Sequence, residues 1–184
     1  IWSQNLGSIL LVKNKTQGDE CMAIEVFNRC EKKYLLTKEQ YEALTERISE
    51  YMVPDLYNRD KEFYQICNIY YDTIDDRLIR ASIEKPVYKE KLRVRSYGTP
   101  DINDSVFVEI KKKYNGIVNK RRTSMPLIEA YDYLNRHIYP DMDNVHLNKQ
   151  VFREIDYFTN YYKLVPKVYL SYDRRAYFEK NDCN

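Results

Sequence analysis

In Lys89-Glu90-Lys91-Leu92-Arg93-Val94-Arg95 a basic residue recurs at every second position. On an extended strand this spacing puts Lys89, Lys91, Arg93 and Arg95 on one face and Leu92 and Val94 on the other. Four like charges on one face repel each other unless an anion neutralises them. The same arithmetic groups Glu109, Lys111 and Lys113 opposite Val106, Val108 and Ile110. It also groups Arg29 with Glu31 and Lys33, Lys120 with Arg122, and Tyr172 with Arg174 and Ala176. Five strands that are charged on one side and mostly apolar on the other describe a sheet with a Lys/Arg surface suited to a linear polyanion. The sparse carboxylates Glu31 and Glu109 would weaken pure anion binding, but carboxylates are what Mn²⁺ or Mg²⁺ needs. Basic side chains on phosphate oxygens, with a metal bridging the phosphates, are the parts of a phosphoryl-transfer site.

The elements that must position these residues alternate between strands and helices. Glu25 to Leu36 reads as a strand running into Thr37-Lys38-Glu39-Gln40, a capping box that opens a helix to about Met52. Tyr41, Leu44, Ile48 and Tyr51 follow at helical spacing. Strands are expected over Phe63 to Thr73, Pro86 to Tyr97 and Ser105 to Tyr114, with a polar turn from Asp72 to Arg77. Asn115-Gly116 predicts a tight hairpin into Ile117 to Met125. Helices are expected from Pro126 to about Ile138 and through Leu147, Val151, Ile155, Phe158 and Tyr162, before a last strand from Pro166 to Phe178. The fold class is therefore α+β, with a curved or closed antiparallel sheet whose apolar face the helices cover.

Composition sets the limits. The chain has 184 residues, a length suited to one domain, and its 14% aromatic content argues against intrinsic disorder. A net charge of +2 does not suit a protein that coats nucleic acid, so what matters is where the charge sits. The basic run Lys120-Arg121-Arg122 has no stacking aromatics sharing its inferred face, so no nucleic-acid partner is expected. The longest apolar run, Ile9 to Val12, falls far short of a transmembrane span. Cys21, Cys30, Cys67 and Cys183 lack zinc-ligand spacing, which points to a reducing, cytoplasmic compartment. His137 and His146 have no partnered nucleophile and read as surface or packing residues. Residues 1–21 show no sustained period and are expected to be a disordered or non-native extension, with the domain spanning 22–184.

The motifs, in order, resemble a family. They are Arg29-x-Glu31-x-Lys33-Tyr34, Ile69-Tyr70-Tyr71-Asp72-Thr73, Lys91-Leu92-Arg93-Val94-Arg95-Ser96-Tyr97-Gly98, Val106-Phe107-Val108-Glu109-Ile110-Lys111, Lys120-Arg121-Arg122 and Ser171-Tyr172-Asp173-Arg174-x-Ala176-Tyr177. Each is weak alone, but the ordered set, from about Glu25 to Phe178, is similar to the VTC (vacuolar transporter chaperone) domain, the polyphosphate polymerase branch of the triphosphate tunnel metalloenzymes. The resemblance implies an antiparallel β-tunnel with flanking helices. It further implies binding of ATP and transfer of its terminal phosphoryl group to polyphosphate or inorganic phosphate, with Mn²⁺ or Mg²⁺. Carried over by position, Lys33, Arg93, Arg95, Lys111, Lys120 and Arg174 match the phosphate-gripping catalytic residues. Arg29, Lys91 and Arg122 would bind substrate, and Glu31 and Glu109 fit the acidic, metal-binding positions. A membrane-protein partner is compatible with such a domain.

The family pattern continues with an Arg-x-Thr-x-Asp-like strand and a Glu-x-Lys strand bearing the principal metal-binding glutamate. Neither occurs before Asn184, so an incomplete tunnel of impaired activity is expected. Two other functions remain open. A tunnel triphosphatase or cyclase would favour Glu-x-Glu-x-Lys in the first strand, where Arg29 stands in place of the first Glu. A non-catalytic polyphosphate- or triphosphate-binding module would follow from the missing strands.

Overall fold

The computed structural model describes the backbone of residues 7–14, 29–55, 58 and 62–180, and the side chains of 34–55, 58 and 62–180. The chain divides into two compact units, Ile1–Asp55 with Tyr177–Asn184, and Leu56–Ala176.

The first unit contains β1 (Gly7–Asn14), β2 (Arg29–Leu36), α1 (Lys38–Ser49) and β3 (Met52–Pro54). β1 pairs antiparallel with β2, Gly7 opposite Leu36 and Asn14 opposite Arg29. No regular element was expected in β1, but its Ile9-Leu10-Leu11-Val12 run has strand-forming side chains. The capping box at α1 forms as expected: Thr37 Oγ1 accepts from Gln40 N at 3.3 Å, and Thr37 N donates to Gln40 Oε1 at 2.9 Å. The helix stops at Ser49, three residues before the expected Met52, which opens β3 instead.

The second unit carries β4 (Tyr64–Asp72), α2 (Arg77–Ile83), β5 (Tyr88–Tyr97), β6 (Ser105–Tyr114), β7 (Ile117–Pro126), α3 (Leu127–Arg136), α4 (Lys149–Tyr162) and β8 (Val165–Arg174). The five strands form one antiparallel sheet in the order β7-β6-β5-β4-β8. The two-residue turn at Asn115-Gly116, both at positive φ, fixes the β6–β7 register with Tyr114 opposite Ile117.

One face of this sheet is apolar and lies under α3 and α4. Leu92, Val94, Val106, Val108, Ile110 and Met125 from the strands pack with Ala130, Tyr133, Phe152, Ile155 and Phe158 from the helices. Full burial of each large apolar side chain contributes roughly 1.5–3 kcal/mol, so this layer holds the sheet to its helices. Two polar ties fix the docking. Asn148 Oδ1 caps α4 by accepting from Val151 N at 3.1 Å, and Asn148 N donates to Thr123 Oγ1 on β7 at 2.8 Å. Arg121 lies 2.7 Å from Glu154 of α4.

Two further elements differ from the sequence reading. The stretch read only as a polar turn leads into α2, because Asp72 accepts from Leu78 N at 2.8 Å and from Ile79 N at 2.9 Å. A carboxylate at the end of a strand thus caps a helix from outside the usual N-cap position. The expected final strand is interrupted at Arg175–Ala176, where Ala176 N donates to Asn58 Oδ1 at 2.9 Å. The chain resumes as β9 (Tyr177–Glu179), which pairs with β3.

Candidate functional site

The face opposite the helices is defined by register. Arg93 lies across from Tyr70 and Glu109, and Lys91 across from Lys111. Lys111 lies across from Lys120, and Glu109 across from Arg122. Strands β5, β6 and β7 therefore present Lys89, Lys91, Arg93, Arg95, Lys111, Lys113, Lys120 and Arg122 on one side, eight cations with Glu109 as their one carboxylate. Lys112 and Arg121 point to the helix side, as their odd–even positions dictate. Arg174, opposite Tyr64, places a further cation on the same face of β8.

Glu109 organises the centre of this face. It is 1% exposed, with Arg93 Nε and Nη2 each 2.7 Å from its Oε2 and Lys120 Nζ 2.8 Å from its Oε1. Burial pushes the Glu109 carboxyl up. The Lys120 hydrogen bond and the two positive charges outweigh that and hold it below the usual carboxylate value. Burial likewise opposes the charge on Arg93, but the Glu109 carboxylate more than offsets it and raises the guanidinium above its ordinary value. Tyr70 completes the cradle, its hydroxyl accepting from Arg93 Nη1 at 3.0 Å.

Arg95 sits differently. It is only 6% exposed, and its recorded partners are neutral: Asn68 Oδ1 accepts from Nε at 2.9 Å and the Tyr172 hydroxyl from Nη2 at 3.2 Å. Asn68 is itself steadied by donating to Leu170 O at 3.2 Å. Among the described residues no carboxylate pairs with Arg95. A buried guanidinium is expensive without a counter-charge, so an anion beside it would stabilise this position.

Aromatic rings continue the face. The Arg122 guanidinium lies 4.3 Å from the centroid of the Phe107 ring, and Phe107 meets Tyr97 edge to face at 6.0 Å. The expectation that no aromatic shares the face of Arg122 is corrected here, because Phe107 reaches it from the neighbouring strand. The Asn-Gly turn carries the missing signal: by fixing Tyr114 opposite Ile117 it also sets Phe107 opposite Ser124, two residues from Arg122.

The sheet thus brings together Lys91, Arg93, Arg95, Glu109, Lys111, Lys120, Arg122 and Arg174 of the residues expected from sequence. Arg29, Glu31 and Lys33 alternate along β2 in the other unit, opposite Asn14, Val12 and Leu10, and their side chains lie outside the described residues. The implied Mn²⁺ or Mg²⁺ finds no ready donor set among the described residues. Glu109 already has a cation on each oxygen, and no three His, Cys, Asp or Glu side chains converge. As arranged, the described residues do not fit a protein-held divalent ion. No described helix is long and apolar enough to cross a membrane.

Among the described residues this cationic sheet face carries one acid, Glu109, which its neighbours neutralise, and such a set of donors suits phosphate oxygens. A family model for the VTC domain matches residues 28–184. The chain belongs to the VTC domain family, and its antiparallel sheet with helices on one face is of the α+β class that the sequence predicts. A crystal structure from Bacillus halodurans, provisionally described as an adenylate cyclase, is similar at 16% identity with a TM-score of 0.47. That match covers 76% of this chain, which spans 60% of the Bacillus protein. No curated protein matches the chain.

Proposed function

We propose that the cationic face holds a chain of linked phosphates, and that the domain transfers the terminal phosphoryl group of ATP onto polyphosphate. Arg95 is the observation that carries this reading: its buried charge is held by neutral oxygens and needs an anion. Lys91, Lys111 and Lys120 lie along one cross-strand row, with Arg93 and Arg122 in the next. Rows two residues apart are separated by roughly 7 Å along the strand, so successive phosphates can be gripped in sequence. Arg174 joins as a further grip on the same face of β8.

In the proposed transfer, an oxygen at the end of the polyphosphate attacks the terminal phosphorus of ATP. The bond from that phosphorus to the bridging oxygen breaks, and ADP leaves with the oxygen. The protein needs only to align donor and acceptor and offset the charge on the transferring group, which arginine and lysine donors do best in a dry site. A divalent ion enters on this reading as the counter-ion of ATP. A cytoplasmic setting is part of the same proposal, since ATP is its donor.

The cations on Glu109 favour a second reading, a polyphosphate-binding module without turnover. Incubation with ATP and Mn²⁺, followed by separation of the products, decides between them. Lengthening polyphosphate with ADP supports transfer, orthophosphate with ADP indicates a triphosphatase, and unchanged ATP with retained polyphosphate binding indicates the module.

A further inference from the structure

Next to the buried guanidinium the cationic face changes character. Arg95 is directly opposite Phe107, and two residues further along β5, on the same side, stands Tyr97. Tyr97 meets Phe107 edge to face at 80° and Tyr64 at 52°, with centroids 6.0 and 6.1 Å away. These steep contacts hold the ring from its sides, and among the described residues none stacks flat upon it. Tyr97 nevertheless remains 54% exposed. Exposed tyrosines are common on protein surfaces. This one differs because it is the middle of a row of three aromatic rings, Tyr64, Tyr97 and Phe107, bordered by Arg95, Arg122 and Arg174.

We propose that Tyr97, backed by Phe107, is a stacking ledge for the base of a nucleoside triphosphate whose phosphates run from Arg95 toward Lys91. The proposal rests on the reading of the cationic face as a phosphate-chain site, and it adds that the donor is recognised at its base as well as its phosphates. The occupant follows from the juxtaposition: a planar ring suits an exposed aromatic side chain, and an anion suits the guanidinium beside it. Arg95 and Tyr97 are two residues apart on an extended strand, roughly 7 Å, a gap a ribose can bridge. Stacking reads a π-face rather than hydrogen-bonding edges, so adenine and guanine nucleotides should be accepted alike.

Calorimetric titration of ATP and of inorganic tripolyphosphate into the wild type, Tyr97→Ala and Tyr97→Phe tests this. The expected result is that Tyr97→Ala weakens ATP about tenfold and leaves tripolyphosphate unchanged, while Tyr97→Phe retains ATP affinity. The ledge is overturned if ATP binding is insensitive to Tyr97→Ala, with tripolyphosphate binding intact. It is equally overturned if both ligands weaken together, since that marks a structural role. Absence of binding by either ligand to the wild type removes the phosphate-chain reading as well. A single-stranded oligonucleotide that binds more tightly than ATP, and depends on Tyr97, would replace the ledge with a nucleic-acid surface.

Discussion

At Glu109 a single buried carboxylate keeps two cations from different strands in place, Arg93 of β5 and Lys120 of β7. Removing one member of a buried ionic cluster leaves uncompensated charge, which costs about 3–5 kcal/mol. Glu109→Gln should therefore lower stability at neutral pH by about 3 kcal/mol. The pH dependence has a definite sign. Because the folded carboxyl sits below its ordinary value, its contribution is fully present above about pH 4.3 and is lost as pH falls through the lowered folded value. Urea unfolding across the acid range should show the wild type losing more stability than Glu109→Gln, and parallel curves would refute the role given to this carboxylate. Which face Glu109 occupies is legible from alternation along its strand. Its partners are not, because Lys120 is a diagonal neighbour that its flexible side chain brings close. Arg95 shows a similar limit: its basic character is plain in the sequence, but its burial against Asn68 and Tyr172 depends on register across three strands.

Among the elements, local chemistry makes some boundaries legible and long-range chemistry hides others. The Thr37–Gln40 capping box and the Asn115-Gly116 turn act over two to four residues and form where the sequence places them. Helix α2 escapes because its second and third N–H groups, those of Leu78 and Ile79, are satisfied by Asp72, six and seven residues upstream. The break after β8 escapes because Asn58 captures the N–H of Ala176 from far along the chain. Helix α4 is a direct test of how local caps serve the site, since Asn148 both caps it and ties it to Thr123 on the sheet. Asn148→Ala should cost about 1 kcal/mol or somewhat more by chemical denaturation, with tripolyphosphate affinity unchanged because α4 lies on the helix-covered side. A loss of affinity larger than the loss of stability would mean that the helix layer shapes the cationic face more directly.

Over the molecule as a whole, near-neutral net charge conceals a segregated arrangement. Alternation sends Lys120 and Arg122 to the cationic face while Arg121, between them, turns to Glu154 on α4. Neighbouring basic residues thus have unrelated work, Arg121 in holding a layer together and Lys120 and Arg122, on the proposed reading, in meeting an anion. The central claim, that this face grips phosphates, is tested most directly by the affinity of tripolyphosphate for the wild type, Arg95→Met and Arg121→Met. Arg95→Met should weaken binding by at least about tenfold, since hydrogen bonds to a charged group contribute roughly 1.5–3 kcal/mol, and its melting temperature should not fall, since it removes a buried charge without an acidic partner. Arg121→Met should bind as the wild type does. Equal affinity in all three proteins, or a loss confined to Arg121→Met, would contradict the account.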